Sequence, residues 1–472
     1  MKVVLVYPPI EMHRFAYNVK AKHRKYGHIP PIGIGYVAAI AEKYGHEVAI
    51  VDAVSNGYDV TQCVAAIKKH RPDLIGMSVM TNVKDAASIL ASHLKRRIPG
   101  VPIVVGGTHA YYFFADILKE MPDVDFVLAG EIENSFGLFL TNIDDPSKWN
   151  EVGGLCYRNP DGSIEINEVP DIVENIDDIP LPSWHLYDFA LYEALPFQSK
   201  GKSFFTLITS RGCVYGKCTF CYQAGRKRQV YRRHSPSRVV SEMKILHDRH
   251  NVTDITFWDD TFSSNIEWLK EFRDLLKKES LKIDWTCSTK VSLVSREKLM
   301  LMKEAGCWSI FFGIETGDKE LLKSIDKGTT IEQARVALKL TNELGIESKC
   351  AYMLGLPGET PAKARKTIDL AIELDSTYAI FFATYPRYGT KLYDTALSQG
   401  SFHEMDFKGM TGITYVPDGY KNGAELKRMI RHAYTKFYLR PSQIAKYVKK
   451  IRSPDDIKRA FFGLELFLGL RD

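Results

Sequence analysis

The sequence predicts an α/β protein with an amino-terminal doubly wound, Rossmann-like domain, then a partial (βα)6 barrel and a helical carboxyl-terminal region. Three observations predict it. At 472 residues the chain exceeds one ordinary core. Short Val/Ile/Leu-rich runs alternate with helical patterns twice, over residues 1–140 and again from 204 to 384. Between them lies a stretch of turn chemistry that breaks the alternation. The expected boundaries are 1–145 for the first domain, 146–200 for a linker, 201–400 for the barrel and 401–472 for the helical region.

The first five strands are expected at Val3–Tyr7, Glu47–Asp52, Leu74–Val79, Pro102–Gly106 and Asp125–Leu128. Helical patterns at Val37–Tyr44, Asp59–His70 and Asp85–Arg97 separate them. Strands alternating with helices make a parallel sheet covered on both faces, and ligands bind such a sheet beyond the carboxyl ends of its strands. Asp144-Asp145-Pro146 and Ile179-Pro180-Leu181-Pro182 are turn chemistry, and Asp161-Gly162 suits a hairpin between Gly154–Tyr157 and Ser163–Asn167. Six further strands are expected at Phe204–Thr209, Asp254–Trp258, Asp284–Ser288, Ser309–Gly313, Glu347–Met353 and Tyr378–Thr384. A helix between each pair favours a partial barrel, whose chemistry sits where its strands end. After about residue 400 an aromatic-rich, irregular stretch leads into helix from Gly423 to the end.

Composition is that of an ordinary globular protein, 45% hydrophobic and 25% charged, with a formal charge of +6. No apolar run reaches the length of a membrane span, and the opening MKVVLVYPPI reads as a first buried strand, not a signal peptide. Stable membrane insertion is not expected, and a cytoplasmic location is. The densest basic stretch, Arg226-Lys227-Arg228 and Arg232-Arg233-His234, reads as a solvated loop. It lacks aromatic stacking platforms, so nucleic acid is not expected as a partner. Anionic groups of a small-molecule substrate or cofactor suit it better.

Of eight cysteines, Cys63, Cys156, Cys287, Cys307 and Cys350 are scattered in apolar settings and read as buried small hydrophobes. The other three crowd into Cys213-Val214-Tyr215-Gly216-Lys217-Cys218-Thr219-Phe220-Cys221, directly after the first barrel strand. Three thiolates on one loop can each bind an iron of a cubane cluster and leave the fourth iron open. A zinc site would want a fourth ligand at matched spacing, and no such pattern follows.

This loop resembles that of the radical S-adenosylmethionine (SAM) superfamily, whose usual spacing is C-x3-C-x2-C with an aromatic before the third cysteine. Phe220 matches the aromatic, and the first interval is one residue longer here. Gly216 can absorb the insertion through a left-handed or extended turn. The resemblance implies a 4Fe–4S cluster on Cys213, Cys218 and Cys221. It also implies SAM contacts at Phe220, at Asp259 and Asp260 after the second barrel strand, and at Ser288 and Lys290 after the third. Glu315 after the fourth strand, and Gly355 and Pro357 after the fifth, complete that set.

A five-stranded parallel domain ahead of such a barrel resembles the cobalamin-binding module of the cobalamin-dependent radical SAM class. Pro30-Pro31-Ile32-Gly33-Ile34-Gly35-Tyr36, Ser78 and Thr81, Gly106-Gly107-Thr108-His109 and Gly130-Glu131 carry the likeness. It implies cobalamin contacts at Pro9, Gly33, Gly35, Ser78, Thr81, Gly106, Gly107, His109, Gly130 and Glu131. Small residues at strand ends let a backbone approach a large cofactor closely. The D-x-H-x-x-G loop that supplies a cobalt-binding histidine elsewhere is absent after the first strand, as it commonly is in this class; His13 and His109 read as surface or hydrogen-bonded histidines. A regulatory or non-cobalamin ligand module is the competing reading of this domain. No G-x-G-x-x-G after the first strand and no Walker lysine motif support dinucleotide or ATP binding.

Tyr385–Tyr393 and Phe437-Tyr438-Leu439-Arg440-Pro441 resemble tail segments of the branch with anaerobic magnesium-protoporphyrin ester cyclase and hopanoid methylases. The tail otherwise reads as a helical cap packing its aromatics on the barrel. The resemblance implies methylation of an unactivated carbon of a small-molecule or lipid-like substrate through a 5′-deoxyadenosyl radical and methylcobalamin. An electron donor such as flavodoxin or ferredoxin would reduce the cluster. Radical cyclisation or rearrangement without methyl transfer is the alternative. A methylthiotransferase would bring three more clustered cysteines, whereas residues 1–145 contain only Cys63.

Overall fold

A computed structural model describes residues 1–9, 28–169, 172–194, 198–200, 203–225, 230–403, 413–451 and Ile457. Two compact units emerge, the first running to Glu193 and the second from Ala194. His13 and Arg226–Arg228 lie outside the described residues.

The first unit is built on β1 (Lys2–Tyr7), β2 (Glu47–Asp52), β3 (Leu74–Ser78), β4 (Ile103–Gly106) and β5 (Phe126–Leu128). They pair in parallel in the order β2-β1-β3-β4-β5. The side-chain period of two divides each strand between two cores. Val4 and Val6 pack with Leu90, Leu94 and Ile117 on one face. Val3 and Leu5 pack with Ile34, Ala38, Phe136 and Phe139 on the other. Burial on both faces explains why the strands read as unbroken apolar runs.

The stretch expected as a linker is for the most part a piece of this unit. β6 (Leu155–Arg158) and β7 (Ile164–Ile166) form the expected hairpin, and it extends the sheet antiparallel from β5. Beyond it the chain is irregular, yet Trp184, Tyr187 and Tyr192 are buried. The Tyr187 hydroxyl donates to the Pro31 carbonyl at 2.9 Å, and the Tyr192 hydroxyl to Asp52 at 3.1 Å. Prolines stop regular structure there; they do not stop packing.

In the second unit, β8 (Phe204–Leu207) is followed by two short paired strands, β9 (Ser210–Arg211) and β10 (Arg232–Arg233). Then come β11 (Asp254–Phe257), β12 (Asp284–Thr289), β13 (Cys307–Glu315), β14 (Glu347–Leu354) and β15 (Tyr378–Ala383). β8 and β11 to β15 form one parallel sheet in chain order, each strand beside the next. The basic stretch is not a solvated loop where it is described: Arg232 and His234 are buried, and the Arg233 guanidinium lies 3.5 Å from the Trp268 ring centroid. Pairing of β10 with β9 draws it into the barrel wall.

An incomplete barrel leaves an open strand edge, a hazard that proteins cover. Helix Gly423–Tyr438 covers β15. The Tyr434 hydroxyl accepts the Phe381 N–H at 3.1 Å. Tyr438 accepts the Ala379 N–H at 3.1 Å and donates to its carbonyl at 2.9 Å. One helical turn spans roughly 5–6 Å and two strand residues roughly 6–7 Å, so tyrosines four apart match edge groups two apart. The expected cap on the barrel is thus a hydrogen-bonded one. Before it, Gly400–Phe402 and Tyr415–Pro417 pair as a short antiparallel ladder.

Candidate active site

The cysteine loop sits between β9 and helix Tyr222–Gly225. Cys213, Cys218 and Cys221 are half-buried, whereas the other five thiols are buried, as their apolar surroundings predict. Gly212 and Gly216 take left-handed backbone, φ 83° and 59°, so Gly216 absorbs the extra residue as expected. Burial pushes the Cys218 thiol up to about 11, opposed by the Lys327 and Lys290 ammoniums. Cys221 is also pushed up, chiefly by burial, and its sulfur accepts the Gln223 N–H.

Carboxylates and cations from several strand ends surround this loop. Glu315 closes β13 in left-handed backbone, φ 69°, where the register with β14 shifts. A non-glycine residue held there is a mark of stored strain. Its carboxylate pairs with the Lys327 ammonium at 2.6 Å, both largely enclosed. Lys327 also lies 5.4 Å from the Phe220 ring centroid. Gly313 lies directly beneath this pair, since a Cβ there would lie 2.3 Å from Glu315 Oε1 and 2.8 Å from Lys327 Nζ and would push the two side-chain ends aside. Lys290, buried after β12, stands 3.2 Å from the Tyr215 ring centroid. Desolvation lowers its pKa.

The neighbours Asp259 and Asp260 part company. Asp259 is buried, and its oxygens accept the Thr209 N–H and hydroxyl at 2.9 and 2.8 Å and the Ser210 hydroxyl at 2.7 Å. The Ser210 N–H adds a fourth bond. Burial pushes this carboxyl up, against the pull of Arg233 and these donors. Asp259, expected as a SAM contact, braces the chain just ahead of the cysteines in this structure. Asp260 is exposed and takes a 2.7 Å bond from Gln223. Ser288 is half-buried next to buried Thr289, Pro357 is buried, and Gly355 has φ 84°. Gly355 donates its N–H to Glu359, which also takes the Tyr420 hydroxyl at 2.8 Å.

In the first unit the strand ends of β3 and β4 meet. Ser78 pairs with Gly106, and the His109 ring nitrogen Nδ1 lies 3.2 Å from the Thr81 hydroxyl. Burial, with Lys84 nearby, lowers His109 to about 4, and its ring stacks on Phe113. It is the hydrogen-bonded histidine of the sequence reading. The glycines divide by cause. Gly107, φ 103°, and Gly35 are small for packing: a Cβ would meet the Val79 carbonyl in one and the Tyr187 hydroxyl in the other, each at 2.9 Å. Gly130, φ 96°, is crowded by Val169 at 2.7 Å. Gly33 has nothing within 4 Å, and nothing lies closer than 3.7 Å at Gly106. Those two leave open room. Pro9 is buried at the last described residue of its segment, and Glu131 is half-buried after Gly130.

The profile of the radical SAM superfamily matches residues 207–371, a span that holds the cysteine loop and the Gly355 turn. The profile of the B12 binding domain matches residues 23–140. An uncharacterized methyltransferase of Pyrococcus horikoshii is 31% identical over 467 residues, 98% of each chain. The chain belongs to the cobalamin-dependent radical SAM enzymes. The anaerobic magnesium-protoporphyrin IX monomethyl ester cyclase of Rubrivivax gelatinosus is 27% identical over 421 residues, 88% of this chain and 74% of that one. The cobalamin-dependent SAM radical enzyme OxsB, with aqua-cobalamin and SAM bound, shares the fold. Its TM-score is 0.73 at 18% identity, over 99% of this chain and 71% of that one.

A cobalamin-dependent radical SAM enzyme takes a 4Fe–4S cluster, SAM and cobalamin. The residues present fit these groups. Among the described residues no three His, Cys, Asp or Glu side chains converge on one point as a single-ion site requires. A cubane asks for something else, three thiolates each facing a different iron, and the half-buried cysteines beside two ammoniums meet that need. The open ground at Gly33 and Gly106 suits a large cofactor at strand ends. Sequence reasoning missed Lys327, Tyr215 and Glu359. Lys327 follows helix Lys319–Ser324 instead of a strand end, so strand-end reasoning had no reason to visit it. No helix among the described residues is long and apolar enough to cross a membrane.

Proposed function

We propose that this enzyme methylates an unactivated carbon of a small-molecule or lipid-like substrate. The observation that carries the reading is likeness along the whole chain to a protein named as a methyltransferase. In this reading Cys213, Cys218 and Cys221 hold the cluster. Phe220 gives the adenine a flat wall, while Asp260 and Glu315, the latter steadied by Lys327, offer carboxylate oxygens to the SAM ammonium. Ser288, Lys290, Gly355 and Pro357 complete that pocket. Pro9, Gly33, Ser78, Thr81, Gly106, His109 and Glu131 receive cobalamin, with Gly35, Gly107 and Gly130 shaping the backbone beneath. When bound, these groups supply an electron, a carbon-abstracting radical and a methyl carrier. A flavodoxin- or ferredoxin-class donor in the cytoplasm supplies the electron.

Cyclisation or rearrangement without methyl transfer is the second reading, favoured by the similarity to the ester cyclase. The test is turnover with SAM carrying a deuterated methyl group and a cell extract as substrate source. Label in a new product supports methylation. A new product without label supports the second reading.

A further inference from the structure

The lengthened cysteine loop poses a physical problem. One more residue between Cys213 and Cys218 adds conformations that must be given up before three thiolates can face one cluster. Four consecutive residues after helix Lys319–Ser324 meet that loop. The Ile325 carbonyl accepts the Thr219 N–H at 2.9 Å. Asp326 accepts the Tyr215 hydroxyl at 2.6 Å. Lys327 reaches the Phe220 ring. Gly328, φ 61°, lies flat under Tyr215, where a Cβ would come within 2.3 Å of its ring. The same ring carries the Lys290 ammonium at 3.2 Å from its centroid. Tyr215 is itself one of the residues that the longer interval holds.

We propose that Tyr215 is a positioning residue of the cluster: it fastens the lengthened loop to residues 325–328 and holds the Lys290 ammonium beside the thiolates. Its hydroxyl and its ring have separate tasks. The hydroxyl bond to Asp326 restrains the loop, which slows loss of iron. The ring fixes a positive charge near the cluster by a cation–π contact. A fixed cation favours the more negative, reduced cluster and so raises its potential.

The inference rests on the three cysteines being the cluster ligands, and one set of measurements separates the two. Full-length protein is reconstituted without oxygen as wild type, Tyr215→Phe, Tyr215→Ala, Asp326→Ala and the Cys213, Cys218, Cys221→Ala triple variant. Iron per chain, the rate of iron loss to a ferrous chelator and the midpoint potential from the reduced-cluster EPR signal are measured. Asp326→Ala removes the same bond from an exposed position without touching the Tyr215 ring, so it tests that bond even where a Tyr215 variant does not fold. Loss of one charge-assisted hydrogen bond should speed iron loss about tenfold in Tyr215→Phe and Asp326→Ala, with the potential unchanged in Tyr215→Phe, which alters no charge. Tyr215→Ala should lose iron at least as fast and show a lower potential. Wild-type iron loss in Asp326→Ala and Tyr215→Ala, or equal potentials in Tyr215→Ala and Tyr215→Phe, overturns the proposal. A full cluster in the triple variant overturns the ligand assignment beneath it.

Discussion

The Asp259 carboxylate takes the Thr209 hydroxyl at 2.8 Å inside the barrel wall, four residues ahead of Cys213. The adjacent Asp260 stands exposed on Gln223. Two neighbouring carboxylates thus differ in setting, one buried among the Thr209 and Ser210 donors and one exposed.

Asp259→Ala should leave up to four donors at Thr209 and Ser210 unpaired and cost about 3 kcal/mol, a fall in melting temperature of roughly 3–6 °C. Asp260→Ala should leave the melting temperature within a degree or two, because surface substitutions cost roughly half a kcal/mol or less. Its effect should appear in SAM affinity by equilibrium dialysis. Equal melting temperatures for the two variants would contradict the division of labour.

Much of this was legible beforehand, for identifiable reasons. Strands buried on both faces read as continuous Val/Ile/Leu runs, so all eleven expected parallel strands stand within two residues of their expected ends. The three cysteines were legible from spacing alone. Burial of an individual carboxylate was not, because Asp259 and Asp260 look alike in a sequence and only the hydrogen-bond donors of Thr209 and Ser210 tell them apart. Residues 146–200 looked like a linker because prolines and short turns carry no period, although Trp184 and Tyr187 within that stretch are buried.

Glu359 should make stability depend on pH. Burial raises its carboxyl from 4.5 to about 7, and its Oε2 is buried without a hydrogen-bond partner. The folded state then binds more protons than the unfolded state between those values, so its contribution is present below about pH 4.5 and is lost as pH rises through 7. Glu359→Gln should remove that slope. Melting temperatures from pH 5 to 8 for both proteins check it, and parallel profiles would refute it.

The tyrosines on the β15 edge should act as hydrogen-bond partners more than as packing. Tyr434→Phe and Tyr438→Phe each strand an edge N–H and should cost about 1–2 kcal/mol. Their rings stack 6.1 Å apart, so the double variant should depart from additivity. Iron content should be unchanged in all three. Thermal melts of wild type and variants give the comparison.

Gly33 and Gly35 should separate cofactor room from packing. Gly33→Ala meets nothing within 4 Å and should keep or slightly raise stability while weakening cobalamin uptake, read from visible absorbance after reconstitution. Gly35→Ala meets the Tyr187 hydroxyl at 2.9 Å and should cost about 1–3 kcal/mol. Undiminished cobalamin in Gly33→Ala would remove that residue from the proposed site.

Methyl transfer is tested most directly by counting what becomes of SAM. Reduced, reconstituted enzyme is given cell extract as substrate source, and S-adenosylhomocysteine and 5′-deoxyadenosine are quantified together by mass spectrometry. Methylation through cobalamin uses one SAM as methyl source and a second as radical source, so the two products should accumulate in equal amounts above the no-extract background. Extract-dependent 5′-deoxyadenosine with no S-adenosylhomocysteine above that background would contradict the methyltransferase account.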